Sequence, residues 1–172
     1  MKIPKETHEI SPQVHWIGVK DWNRRMFDRL IPLPEGTSYN SYIIEGTNKT
    51  ALIDSVNPGF EKEFKQKIKK ITNIENIDYI IMNHAEPDHA NTIKEINKIS
   101  EAKIITTEKG KELAQKIHHI DKNKIQTVKD QEKLELGGKT LKFIDAPWLH
   151  WPETMLTLYE EEGILFSCDF FG

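Results

Sequence analysis

Ile77-Asp78-Tyr79-Ile80-Ile81-Met82 runs directly into Asn83-His84-Ala85-Glu86-Pro87-Asp88-His89, and the junction of these two stretches decides how the chain is read. The first is a compact apolar run of the kind that forms a buried strand. The second packs two imidazoles and two carboxylates, His84, Glu86, Asp88 and His89, into six residues at that strand's C-terminal end. Charged and polar groups crowded this closely repel one another or compete for solvent, and a divalent cation is a natural way to satisfy them. A polar surface loop is the ordinary alternative. Pro87 stiffens the backbone here, which suits a preorganised ligand set and a plain turn alike.

Upstream, residues 14–19, 39–45 and 50–54 read as short strands, with Glu45-Gly46-Thr47-Asn48 as the turn joining the last two. From Phe60 the pattern changes. Phe60, Phe64, Ile68 and Ile71 recur at helical spacing, while Glu61, Lys62, Lys65, Lys67, Lys69 and Lys70 form a solvated opposite face. Downstream the spacing predicts a helix over 89–99 with Ile93 and Ile96 inward, a strand over 102–106, a helix over 109–118 and a short strand near 125–128. Residues 132–136 and 140–144 flank Gly137-Gly138 as a second hairpin; no helix follows these glycines, so they read as a turn and not a phosphate loop. Strands over 155–159 and 164–167, separated by Glu161-Glu162-Gly163, precede Cys168-Asp169. The fold class expected is α/β (α+β), with no repeats and no domain linker.

Composition removes several classes of function. The chain has 172 residues, 37% hydrophobic and 30% charged, as expected of one soluble domain. Its net charge of −3 creates no field that favours nucleic acid or an anionic membrane. The longest apolar runs span only a few residues where a membrane helix needs ~20, and residues 1–10 lack the apolar centre of a signal peptide, so a cytoplasmic protein fits best. Cys168 is the sole cysteine, which excludes an internal disulfide and a thiolate cluster. Any metal would be held by His, Asp and Glu.

The string His84-x-Glu86-x-Asp88-His89 resembles the ligand motif of the flavodiiron proteins, a branch of the metallo-β-lactamase superfamily. His150 lies 61 positions beyond His89 and Asp169 lies 19 beyond His150, where that family places its third His and its bridging Asp. Leu149-His150-Trp151-Pro152-Glu153-Thr154-Met155 and Ser167-Cys168-Asp169-Phe170-Phe171-Gly172 are similar to the family's corresponding stretches, as are Asp21-Trp22 and residues 33–42 near the start. The likeness covers essentially the whole chain. It implies a metallo-β-lactamase-like αβ/βα sandwich, of which residues 1–172 would form the first half to two-thirds only. It assigns His84, Glu86 and His150 to one iron, Asp88 and His89 to the other, and Asp169 to the bridge of a non-haem diiron pair. Zinc hydrolases on this scaffold typically carry His where Glu86 stands, and a hard anionic oxygen donor favours iron.

The resemblance further implies an oxidoreductase that reduces dioxygen to water or nitric oxide to nitrous oxide. Electrons would come through FMN, held by a flavodoxin-like domain that these residues do not include, in a head-to-tail homodimer. The donor would be rubredoxin or reduced coenzyme F420. The family supplies a further His to the second iron from well beyond the bridging Asp, so the chain reads as a fragment or a split gene product. Two rival readings stand beside this one: a zinc-dependent hydrolase of the same fold, and a non-catalytic fragment acting only with a partner chain. Among the other candidates, His118-His119 ends a helix in a structural or surface role. His8 and His15 lack clustered carboxylates. Trp148 and Trp151 flank His150 and either wall the site or pack the core. Cys168 is expected to be a buried, inert thiol pointing away from Asp169 by strand alternation. The loop of Trp22, Arg24 and Arg25 approaches the pocket or a partner subunit.

Overall fold

The computed structural model describes residues 6–27 and 29–171; residues 1–5 of the N-terminal segment read above and the Gly172 of Ser167–Gly172 lie outside them. Fifteen strands are described: β1 (His8–Ser11), β2 (Val14–Trp16), β3 (Val19–Asp21), β4 (Met26–Phe27), β5 (Ile31–Pro32), β6 (Thr37–Tyr39), β7 (Tyr42–Glu45), β8 (Thr50–Ile53), β9 (Tyr79–Ile81), β10 (Lys103–Thr106), β11 (Ile125–Thr127), β12 (Lys133–Glu135), β13 (Thr140–Asp145), β14 (Met155–Tyr159) and β15 (Ile164–Phe166). The helices are α1 (Glu61–Ile71), α2 (Pro87–Ala90), α3 (Ile93–Ser100) and α4 (Glu108–His118).

One sheet of seven strands runs β1-β2-β7-β8-β9-β10-β11, and a second of four runs β12-β13-β14-β15. The first is antiparallel up to β8 and parallel from β8 through β11. Helices connect the parallel strands, because a parallel pair needs a crossover that returns the chain to the same end. Period-two alternation then sorts the apolar side chains. Ile43, Leu52, Ile80 and Ile104 face Phe64, Ile68, Ile93, Ile96 and Ala114 of the helix layer. Ile44, Ala51, Ile53, Ile81 and Ile105 face Leu141, Phe143, Met155, Tyr159 and Phe166 of the second sheet. Each of the fully buried Ile, Leu, Met and Phe side chains among these contributes about 1.5–3 kcal/mol of transfer free energy. The order helix, sheet, sheet matches the first three layers of the αβ/βα sandwich expected.

At one end the layers meet through their turns. The β7–β8 turn lies against the β12–β13 turn, where Thr47 N–H donates to Gly137 O at 2.9 Å and Lys49 N–H to Leu136 O at 3.0 Å. A Cβ on Gly46 would stand 2.1 Å from the Leu136 carbonyl oxygen, so only glycine permits this approach.

The structure divides three elements that the sequence reads as continuous. Residues 14–19 separate into β2 and β3 around Gly18, where a Cβ would fall 2.2 Å from the Tyr39 carbonyl oxygen. Residues 39–45 separate into β6 and β7 at Asn40-Ser41, where the Ser41 hydroxyl donates to Ile53 O at 2.9 Å. β3 and β6 pair with each other away from the main sheet. The helix expected over 89–99 is two helices. Pro87 occupies a first-turn position that needs no N–H, which lets α2 start earlier. The chain then breaks where Thr92 N–H donates to Ser55 Oγ at 3.2 Å. β1 and the small β4–β5 hairpin carry no apolar periodicity long enough to announce them.

Candidate metal centre

The site is built where β9 ends. Asn83, two residues beyond it, is buried, and each of its polar atoms is hydrogen-bonded. Its N–H donates to Asp54 Oδ1 at 2.8 Å and its carbonyl accepts Met155 N–H at 3.0 Å. Its amide donates to Phe166 O at 3.3 Å and accepts the Thr157 hydroxyl at 2.7 Å. Asn83 thus ties the end of β9 to β8 and to the second sheet, and the ligand string starts from a fixed point. The far end of the string is held by Ser55, whose N–H donates to the His89 carbonyl.

All six residues singled out in the sequence converge here. His84 Nε2 lies 3.2 Å from Glu86 Oε2 and 4.0 Å from Asp169 Oδ2. His150 Nε2 lies 3.7 Å from Glu86 Oε2 and 3.4 Å from Asp169 Oδ2. On the other side of Asp169, its Oδ1 accepts from His89 Nε2 at 2.7 Å, and Asp88 Oδ2 stands 3.9 Å from the same nitrogen. Two groups of donor atoms result, each within 4.8 Å of one another: His84, Glu86, His150 and Asp169 in one, Asp88, His89 and Asp169 in the other. Asp169 belongs to both. Asp88 Oδ1, His89 Nδ1, His150 Nε2 and Asp169 Oδ2 are buried without a hydrogen-bond partner. Buried polar atoms in native proteins are nearly always paired, so four orphans within one cluster fit a cation-binding role.

The electrostatics agree. Burial alone would hold the His84 imidazole down, but Glu153, Glu86 and Asp169 outweigh it and raise it to about 9. Burial likewise opposes protonation of His89, and Asp169 reverses the balance upward. Glu86 is held below its ordinary value chiefly by the His84 hydrogen bond. Asp169 is lowered because His89 overcomes the cost of burial, whereas burial keeps Asp88 raised. The carboxylates thus create a negative field that draws protons onto His84 and His89, and a cation would satisfy that field in place of those protons, because a ligating imidazole is neutral.

The cluster opens on a cavity of about 380 Å³, lined by Arg24, Phe27, Ile31, Leu33, Tyr39 and the candidate ligands Asp88, His150 and Asp169. The loop of Arg24 thus does reach the pocket. Tyr39 donates its phenol to Asp21 Oδ2 at 3.2 Å, and burial together with that carboxylate pushes the phenol up to about 12. Trp151 packs edge-on against His84 at 5.0 Å, while Trp148 is 77% exposed and packs no core. Cys168 sits in a 3-10 turn (Cys168–Phe171) with φ of 45°, so strand alternation does not govern its direction. Cys168 is half-buried and not fully buried as expected, and desolvation pushes its thiol well above the ordinary range.

Two residues escaped the sequence reading. Glu153 is buried, and its Oε1 accepts from His84 Nδ1 at 2.8 Å and from Ala85 N–H at 2.9 Å. Asp54 is buried beneath the string, and burial raises its carboxyl to about 6 against the opposing pull of His89 and the Asn83 N–H. The signal for Asp54 was available: like His84, it follows an apolar strand run, Ala51-Leu52-Ile53.

A family model described as ODP family beta lactamase matches residues 37–172. A flavo-diiron protein, FprA2 of Clostridium acetobutylicum, is 39% identical over 166 residues, which cover 95% of this chain and 41% of that protein. An anaerobic nitric oxide reductase flavorubredoxin of Pectobacterium atrosepticum is 39% identical over 169 residues, 96% of this chain and 33% of that protein. The solved rubredoxin oxygen:oxidoreductase of Desulfovibrio gigas superposes with a TM-score of 0.89 at 32% identity, covering 94% of this chain and 40% of that one. The chain thus spans well under half the length of the relatives it matches. With its layers, its converging His, Asp and Glu side chains and these matches in agreement, the chain belongs to the ODP family of β-lactamase-type proteins and corresponds to the metallo-β-lactamase-like domain of the flavodiiron proteins.

Proposed function

We propose that residues 1–172 hold the diiron centre of an oxidoreductase that reduces dioxygen to water or nitric oxide to nitrous oxide. His84, Glu86 and His150 hold one iron, Asp88 and His89 hold the other, and Asp169 bridges them. The observation that carries this reading is the double membership of Asp169, whose two oxygens face two separate groups of donors. When bound, such a pair would supply electrons and Lewis acidity to a diatomic substrate. The chain's own residues set the conditions. Phe27, Ile31 and Leu33 line the approach with apolar surface suited to a small uncharged gas, and Arg24 and Tyr39 add polar groups to the same wall.

FMN enters this proposal through a flavodoxin-like domain outside these 172 residues, and rubredoxin or reduced coenzyme F420 is the electron donor. A head-to-tail homodimer brings one copy's flavin to the other's irons. Support comes from the exposed apolar side chains beside the pocket residues: Leu30 and Ile31 on the β4–β5 hairpin, Trp148 and Leu149 next to His150, and Phe171 beyond Asp169. Apolar surface of this kind marks an interaction site. None of the described helices is long and apolar enough to cross a membrane, and a cytoplasmic setting is part of the proposal. The test is metal analysis and Mössbauer spectroscopy of protein produced with iron, followed by gas consumption when a reduced FMN-bearing flavodoxin-like domain is supplied. A coupled iron pair with oxygen or nitric oxide uptake is expected. Zinc in place of iron, with hydrolytic turnover and no gas uptake, would favour the hydrolase, against which Glu86 argues.

A further inference from the structure

Glu153 and His118 lie outside the six ligand positions, yet both reach the backbone between two of them. Glu153 Oε1 takes the Ala85 N–H at 2.9 Å as well as the His84 Nδ1–H at 2.8 Å. His118 Nε2 donates to the Ala85 carbonyl at 2.7 Å. The peptide groups on both sides of Ala85 are therefore gripped by side chains from different layers, Glu153 just before β14 and His118 at the end of α4. Ala85 is fully buried, Glu153 is 1% exposed and His118 is 9% exposed, so bulk water does not take over either contact.

We propose that Glu153 and His118 are positioning residues that clamp the Ala85 backbone and thereby aim His84 and Glu86 at the first metal position. The proposal rests on the metal-centre reading above. Three features of the geometry carry it. First, a carboxylate accepting from Nδ1 fixes the proton there and leaves the Nε2 lone pair of His84 facing Glu86 and Asp169. Second, the two held peptide groups are the links between His84 and Glu86, so both ligands move if either contact is released. Third, Glu153 Oε2 is buried with no partner. A carboxylate with one oxygen left unsatisfied is a poor device for stability alone, and orientation accounts for its placement.

Cobalt(II) titration of the metal-free chain tests this, because ligand-field absorption reports affinity and coordination geometry without any turnover. The wild type is expected to take up two cobalt ions. Glu153→Ala is expected to lose 10- to 100-fold in affinity at the first position, the range for groups that orient ligands, while the Asp88-His89 position keeps its spectrum. Glu153→Gln retains an acceptor and is expected to lose less. His118→Leu should weaken the same position, and His118→Gln, which can still donate to the Ala85 carbonyl, should restore it. The glutamine variants keep the test informative if Glu153→Ala fails to fold. Unchanged cobalt affinity and spectrum in Glu153→Gln and His118→Leu, with only the melting temperature of the metal-free protein lowered, would overturn the clamp. A wild type that binds no cobalt would overturn the metal-centre reading itself, and the clamp with it.

Discussion

Replacing Asp169 with asparagine separates one shared centre from two independent sites. The substitution keeps the side chain's shape and an oxygen facing His89, and removes the charge that both donor groups share. A site saturated with metal at a hundred times its dissociation constant adds about 2.7 kcal/mol to stability, so two sites add about 5 kcal/mol. For a domain of this length, each 1 kcal/mol moves the melting midpoint by about 2–4 °C, which predicts a rise of ~10–20 °C on metal addition. If Asp169→Asn weakens both sites a hundredfold, the same metal adds only about 0.4 kcal/mol per site, and the rise falls to ~2–3 °C. Glu86→Gln touches only the first group and Asp88→Asn only the second, so each should keep about half of the wild-type rise. Differential scanning calorimetry with and without ferrous iron, paired with metal stoichiometry, reads all four proteins. An Asp169→Asn protein that retains the full rise would refute the bridging role. A Glu86→Gln protein that loses both metals would refute the division into two groups.

Glu86→His should move the metal content of protein grown with both metals from iron towards zinc by several-fold, because an imidazole replaces the hard anionic donor; elemental analysis checks the ratio. Phe143→Ala empties the space between the two sheets, where Phe143 is 1% exposed, and should cost about 3–5 kcal/mol in urea unfolding at an unchanged m-value. Tyr39, held up at about 12, should resist ionisation in an ultraviolet pH titration, and Asp21→Asn should lower its pKa towards 10 without reaching it, since burial is the larger cause. The sign for stability follows: a raised acid favours the fold while protonated, so this contribution is present below about pH 10 and is lost as pH rises to about 12.

The sequence by itself determined the strands that matter, the helices between them and all six candidate ligands. Those readings depend on local order: a buried run such as Ile77–Met82 has few alternatives, and a string such as His84-x-Glu86-x-Asp88-His89 carries its chemistry in its spacing. Placing His150 and Asp169 with that string needed the resemblance to a family, because nothing local to either residue says which loop it will meet. Where strands part was not legible either. Gly18 breaks residues 14–19 only because the Tyr39 carbonyl comes within reach, and Ser41 breaks 39–45 by bonding across to β8. Glu153 and the buried contact of His118 are likewise products of packing, since a carboxylate or imidazole becomes a support only when the fold removes water and brings a partner. What a residue can ligate is written in its side chain and its neighbours in sequence. What holds it at the right angle is decided by layers that meet only in the folded chain, where a hydrogen bond no longer has water as its competitor.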